Sequence, residues 1–186
     1  GQIEGLRGAQ GSLCGANAVG GVISVVSQEP RPTFEAGLEA GYNFNKEGVD
    51  LIGVVNVPIN EVLALRVGVD VTEQYGGRVY NTFRKEYIDG GDYRGVRAAL
   101  AFTPDERFKV VAMIDLSRLD DPTGGQVDVQ RRLYPAIPET FDYQSQAEGN
   151  TKARLRQNIA NGSLSIKADL GFADLSSTTN VRWRDS

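Results

Sequence analysis

The feature that most restricts what this chain can fold into is a period of two. Across residues 34–44, Phe34, Ala36, Leu38, Ala40, Tyr42 and Phe44 alternate with Glu35, Gly37, Glu39, Gly41 and Asn43. Successive side chains of a strand point to opposite faces, whereas a helix would wind both sets around its axis. The run therefore predicts a strand with one apolar and one polar face. Residues 63–75 repeat it, with Leu63, Leu65, Val67, Val69 and Val71 opposed to Ala64, Arg66, Gly68, Asp70 and Thr72. Val96, Ala98, Leu100 and Phe102 make a third apolar row, and Phe108, Val110, Ala112, Ile114 and Leu116 a fourth. Weaker versions run through residues 49–57, 164–170 and 173–183. An all-β fold of about seven antiparallel, up-and-down strands is expected over residues 31–186.

Alternation does not say which face is wet, because a soluble sandwich points its apolar row inward and a membrane barrel points it outward. Three further features favour the barrel. The runs approach the roughly 9–11 residues a tilted strand needs to cross a bilayer. Aromatic residues collect at the ends of the apolar rows: Phe34 and Tyr42 with Phe44, then Tyr75, Phe102 with Phe108, and Trp183. Such rings belong at the two membrane interfaces. Connections also alternate in length, short at 58–61, 103–107 and 169–172 and long at 76–91 and 119–154, with only 45–48 breaking the long set.

Several function classes are excluded or disfavoured. A net charge of −4 gives no basic face for nucleic acid. The single Cys14 cannot form an internal disulfide, and a chain without histidine lacks the usual zinc sets and the usual base for a serine nucleophile. The acid pairs Asp89/Asp92, Asp105/Glu106 and Asp120/Asp121 are read as turn residues rather than as a catalytic pair. No apolar run reaches the roughly 18 residues of a spanning helix. An enzyme is not expected, and no cofactor or metal is implied.

The N-terminal stretch is different in kind. Residues 6–26 read LRGAQGSLCGANAVGGVISVV, in which Gly8, Gly11, Gly15, Gly20 and Gly21 precede an apolar, β-branched run. Neither a Walker loop nor a dinucleotide fingerprint is present, so the glycines suit tight turns rather than phosphate binding. The run from Ile3 to Gly15, IEGLRGAQGSLCG, followed by Ala16, Asn17, Ala18, Val19, Gly20, Gly21, Val22 and Ile23, closely resembles the end of the plug domain of TonB-dependent outer-membrane receptors. The family pattern is an I-E-x-L-R-G-P-Q-G-T-L-Y-G strand and turn, then small residues ending in G-G-V-I. Ala9 stands where proline is usual and Cys14 where an aromatic residue is usual.

This resemblance implies that residues 1–30 are the C-terminal part of an α+β plug domain and that residues 31–186 begin a transmembrane antiparallel β-barrel. Since the sequence opens at Gly1 without a leader, it is expected to be an internal piece. The implied function is energised uptake of a scarce ligand, most often a ferric siderophore or other iron complex, across a Gram-negative outer membrane. Implied partners are outer-membrane lipid, the ligand, and the inner-membrane TonB complex acting through an N-terminal segment outside this sequence. Arg7, Gly8, Gly11, Gly15, Asn17, Gly20 and Gly21 are the plug signature. In the family the plug arginine, here Arg7, pairs with barrel-wall glutamates; a strand-end, partly solvated arginine is the alternative. Glu35, Glu39, Arg66 and Asp70 on the polar rows would face the lumen and plug. Tyr75, Arg78, Tyr80, Arg84, Arg131, Arg132 and Tyr134 offer cationic and aromatic loop surface, which loops of any barrel also carry. Rival readings are a passive porin or adhesin, and a soluble β-rich binding domain that buries the apolar rows.

Overall fold

Four short turns set the register of the sheet, and each is organised by an Asn or Asp side chain that accepts from the backbone a few residues on. Asn43 Oδ1 accepts from the N–H groups of Asn45 and Lys46. Asn60 Oδ1 accepts from Val62 and Leu63, Asp105 Oδ1 from Arg107 and Phe108, and Asp169 Oδ1 from Gly171. Gly171 takes the left-handed conformation, at φ 79°, that an L side chain resists.

These turns join long strands in a computed structural model that describes residues 2–7, 21–76, 79–122, 146–147, 150, 152 and 154–186. The strands are β1 (Gln2–Arg7), β2 (Gly21–Val26), β3 (Glu35–Asn43), β4 (Gly48–Pro58), β5 (Leu63–Gln74), β6 (Tyr80–Asn81), β7 (Glu86–Tyr87), β8 (Gly91–Asp105), β9 (Phe108–Asp121), β10 (Gln146–Ala147), β11 (Leu155–Asp169) and β12 (Asp174–Asp185). The described chain is all-β. Its main element is a seven-stranded antiparallel sheet in the order β12-β11-β9-β8-β5-β4-β3, a meander in which chain neighbours are sheet neighbours. The sheet is open, with β3 and β12 at its edges. β1 and β2 form an antiparallel pair of their own, and β6, β7 and β10 a small sheet within the long connections.

The seven expected strands are therefore present, but three are longer than alternation suggested. β8 starts at Gly91, not Val96; β9 runs on to Asp121, past Leu116; β11 starts at Leu155, not Leu164. In these extensions Asp92, Arg94, Arg118, Asp120, Arg156 and Asn158 share a face with the apolar rows, so backbone pairing continues after the hydrophobic signal has stopped. This also corrects the reading of Asp92, Asp120 and Asp121 as turn residues: all three lie in strands. Asp105 lies at the end of β8, and there its carboxylate organises the turn to β9.

Candidate functional site

Register gives the sheet two chemically distinct faces. One face carries rows such as Leu38, Gly53, Val69, Val96, Leu116, Ala160 and Trp183, with Ala36, Val55, Val67, Ala98, Ile114, Gly162 and Val181 alongside. The large residues of these rows stand mostly in the open, from Leu38 at 77% and Trp183 at 59% on the edge strands to Ile114 at 51% and Val96 at 41% in the middle, with Val55 and Val67 half-buried. The other face carries Glu35, Asn56, Arg66, Ala99, Met113, Ser163 and Asn180 in one row, and Gly37, Val54, Gly68, Arg97, Asp115, Asn161 and Arg182 in the next. The best-buried apolar side chains of the sheet are Ala64, Ala99 and Ala101, all on this polar face.

Burial on the polar face comes from the chain itself. Between β2 and β3, residues 27–33 cross the polar face as a strap, and four neighbouring strands each hold it. From β4, Asn56 accepts a hydrogen bond from Arg31 N–H at 3.0 Å and donates to the carbonyls of Arg31 and Thr33. The β5 residue Arg66 donates to Gln28 Oε1 and to Glu35 Oε2, each at 3.1 Å, so one guanidinium ties the strap to the first residue of β3. Arg97 of β8 donates to Ser27 Oγ at 2.7 Å, and Lys109 of β9 to Glu29. Pro30 and Pro32 fix φ at two positions of the strap and present no N–H that would need an acceptor.

The network continues across the sheet. Arg97 also grips Asp115 Oδ2, at 2.8 and 2.6 Å from two of its nitrogens; Asn161 donates to the other oxygen of Asp115, and Arg182 donates to Asn161 Oδ1 at 2.7 Å. Ser27, Gln28, Arg66, Asp70, Tyr93 and Arg97 border a hollow of about 300 Å³ beside the strap, where Gly68 and Gly95 leave room.

All four residues expected to share the polar face do so, Glu35 and Glu39 from β3 and Arg66 and Asp70 from β5. Glu35 and Arg66 form an ion pair; Asp70 borders the hollow; Glu39 lies further along β3 and is exposed. Of the plug-signature residues, Arg7 ends β1 opposite Gly21 at the start of β2, while Gly8, Gly11, Gly15, Asn17 and Gly20 lie outside the described residues. The Arg7 side chain is likewise not described. Arg78, Arg131, Arg132 and Tyr134 fall outside as well; Tyr80 packs edge-on against Tyr87 and Arg84 pairs with Glu86. Asn56 was missed, although a lone amide within Val54-Val55-Asn56-Val57 is a visible interruption of an apolar run.

Beyond the apolar rows, at the end bearing the long connections, the same face turns ionic. Arg94 pairs with Glu73 at 2.6 Å, and Arg154 and Arg156 converge on Asp120. The Arg154 hydrogen bonds, with Arg156 beside them, outweigh partial desolvation and hold the Asp120 carboxyl at about 2; the same contact raises the Arg154 guanidinium.

The apolar band does not run square to the strands. Glu39, the midpoint of the 34–44 run, is in register with Ile52, Asp70, Gly95 and Ser117. The midpoint of the β9 apolar run is Ala112, five residues away along that strand. At about 3.3 Å per residue the band has shifted by about 17 Å over four strand spacings of about 4.8 Å each, a slant of about 40°.

The fold thus defines the chain as an all-β protein whose large apolar residues point away from its own covering segment. No family model, curated protein or solved structure matches it.

Proposed function

We propose that this chain is part of a TonB-dependent outer-membrane receptor that takes up a ferric siderophore or other iron complex, driven by the TonB complex of the inner membrane. The observation that carries the reading is the inversion of burial: the strap covers alanines and charged residues, while leucine, valine and tryptophan rows stand exposed on the opposite face. An outward apolar band and an inward polar layer are what a spanning barrel requires. The slant of about 40° falls within the roughly 35–45° strand tilt of such barrels. Rings edge the band at both margins, Phe102 and Phe108 at one and Tyr42 in edge contact with Phe44 at the other. Antiparallel pairing of β1 with β2 around the glycine-rich stretch supports the plug-like reading of residues 1–30. Residues 31–186 are then the first seven strands of the wall, with Glu35, Glu39, Arg66 and Asp70 facing the lumen.

The test uses the full-length protein in outer-membrane vesicles. Spin labels at positions 35 and 38 should differ, with only the second relaxed by a lipid-soluble quencher. Ferric siderophore uptake should stop when the proton gradient is dissipated. Equal quenching would refute the assignment of faces, and uptake indifferent to the gradient would indicate a passive porin.

A further inference from the structure

Side chains from four strands, Asn56, Arg66, Arg97 and Lys109, converge on the strap. We infer that residues 27–33 are a fixed anchor: when the N-terminal part of the chain moves, the movement ends at Ser27, and the strap stays on the sheet with β3, β4, β5, β8 and β9. This rests on the receptor reading for its role, since uptake requires the plug to rearrange, but the anchoring itself is a property of the contacts.

The geometry argues for it in three ways. Asn56 is fully buried and engages the backbone of Arg31 on both its N–H and its C=O, copying one step of strand pairing with a side chain. Recognition of backbone rather than side chain does not depend on what residue 31 is. Arg66 binds both Gln28 and Glu35, so the guanidinium that holds the start of β3 also holds the strap, and peeling the strap away strips it of one of its two acceptors. The anchors lie on four strands of one continuous sheet and hold Ser27, Gln28, Glu29 and Arg31 in turn, so an upstream displacement meets a separate contact at each step along the strap. Asn56 and Arg66 are therefore positioning residues, which set where motion stops.

Two measurements on the full-length protein test this. Arg31 and Glu61 both border a hollow between the strap and the β4–β5 turn; Glu61 is not one of the anchors, and the Arg31 side chain makes only an exposed ion pair with Glu35 at 3.8 Å, apart from the backbone contacts to Asn56. An Arg31→Cys/Glu61→Cys pair can be joined by a bis-methanethiosulfonate linker and released with dithiothreitol. Joined protein should keep at least half of the energised ferric siderophore uptake of the released protein. A tenfold loss on joining that returns on release would overturn the anchor, because it would mean the strap must leave the wall. If the cysteine-free parent shows no energised uptake, the receptor reading fails, and the anchor is judged by hydrogen exchange. In the parent protein the peptide covering 27–33 should exchange on the timescale of β4, and in Asn56→Ala at least tenfold faster with β8 and β9 unchanged. A strap already exchanging freely in the parent would overturn the inference whatever the protein transports.

Discussion

Replacing Asn56 by aspartate changes one NH₂ to an oxygen and almost nothing in shape, yet it should be among the most damaging single changes in the sheet. The native amide accepts from Arg31 N–H and donates to the carbonyls of Arg31 and Thr33, and it is 0% exposed. An ionised carboxylate keeps the first contact and turns the other two into oxygen facing oxygen. Each carbonyl left without its donor costs about 1–3 kcal/mol, so the loss is about 2–6 kcal/mol before the charge itself is counted. Burying that charge raises the pKa of the introduced carboxyl above the ordinary value of about 3.9. The sign follows: a raised folded-state value means the penalty is absent below the unfolded pKa and grows as pH rises through the folded one. Asn56→Asp should therefore be strongly destabilised at pH 7 and partly recovered near pH 4, where the neutral acid can donate to one carbonyl again. Asn56→Leu should be weakened at both pH values alike. Denaturant unfolding of the full chain in lipid vesicles reads both. A loss under about 1 kcal/mol at pH 7, or a loss independent of pH, would refute the account of this amide.

Other outcomes can be set beside it. Val67→Arg, in the middle of the exposed band, should cost about 2–4 kcal/mol in a bilayer if that face meets lipid, and almost nothing if it meets water; vesicle unfolding titrations distinguish the two. Asp120 is held at about 2 against an ordinary 3.8, so its stabilising contribution is full above 3.8 and disappears as pH falls through about 2. Asp120→Asn should flatten the acid side of the unfolding midpoint in that window, and an unchanged profile would remove the Arg154 contact from the argument. Gly76 has φ 90° and a Cβ there would lie 3.2 Å from atoms of Tyr87, Asp89 and Gly90, so Gly76→Ala should cost about 1–3 kcal/mol and disturb the β5–β8 connection in amide chemical shifts.

Strand existence was legible because the apolar period of two survives wherever the band lies, and the four polar residues placed on one face follow from the same parity. What escaped was everything the period does not encode. The ends of β8, β9 and β11 carry Asp92, Arg94, Arg118, Asp120 and Arg156 on the face whose apolar run has ended, so their pairing shows only in cross-strand ion pairs such as Glu73 with Arg94. The strap has no period at all: Gln28-Glu29-Pro30-Arg31-Pro32 reads as a linker, and its partners Asn56, Arg66, Arg97 and Lys109 are spread over more than fifty residues of sequence. Long-range side-chain pairing of that kind leaves no local mark.

One clue to orientation was nevertheless present, and it lies in size rather than polarity. Polarity alone gives each strand a wet face and a dry one and is silent about which of them packs on protein. A face that receives another segment of chain must let a backbone approach, and small residues permit that. The polar rows hold Gly37, Ala64, Gly68, Gly95, Ala99 and Ala101 among their charged residues, whereas the apolar rows set their small residues, such as Gly53, Ala98 and Ala160, beside leucine, valine, isoleucine and tryptophan. Ala64, Ala99 and Ala101 end up the best-buried apolar side chains of the sheet because the strap and its anchors close over them, and Gly68 and Gly95 frame the hollow beside it. Small plus charged marks the side that binds the chain's own segment; large and apolar marks the side left to another solvent. On that argument, filling the hollow from the sheet with Gly68→Val should loosen the strap, raising hydrogen exchange in residues 27–33 while leaving the exposed band and its lipid contact unchanged. Exchange confined to β5 and its neighbours, with the strap still protected, would show that the small residues serve the sheet and not the segment above it.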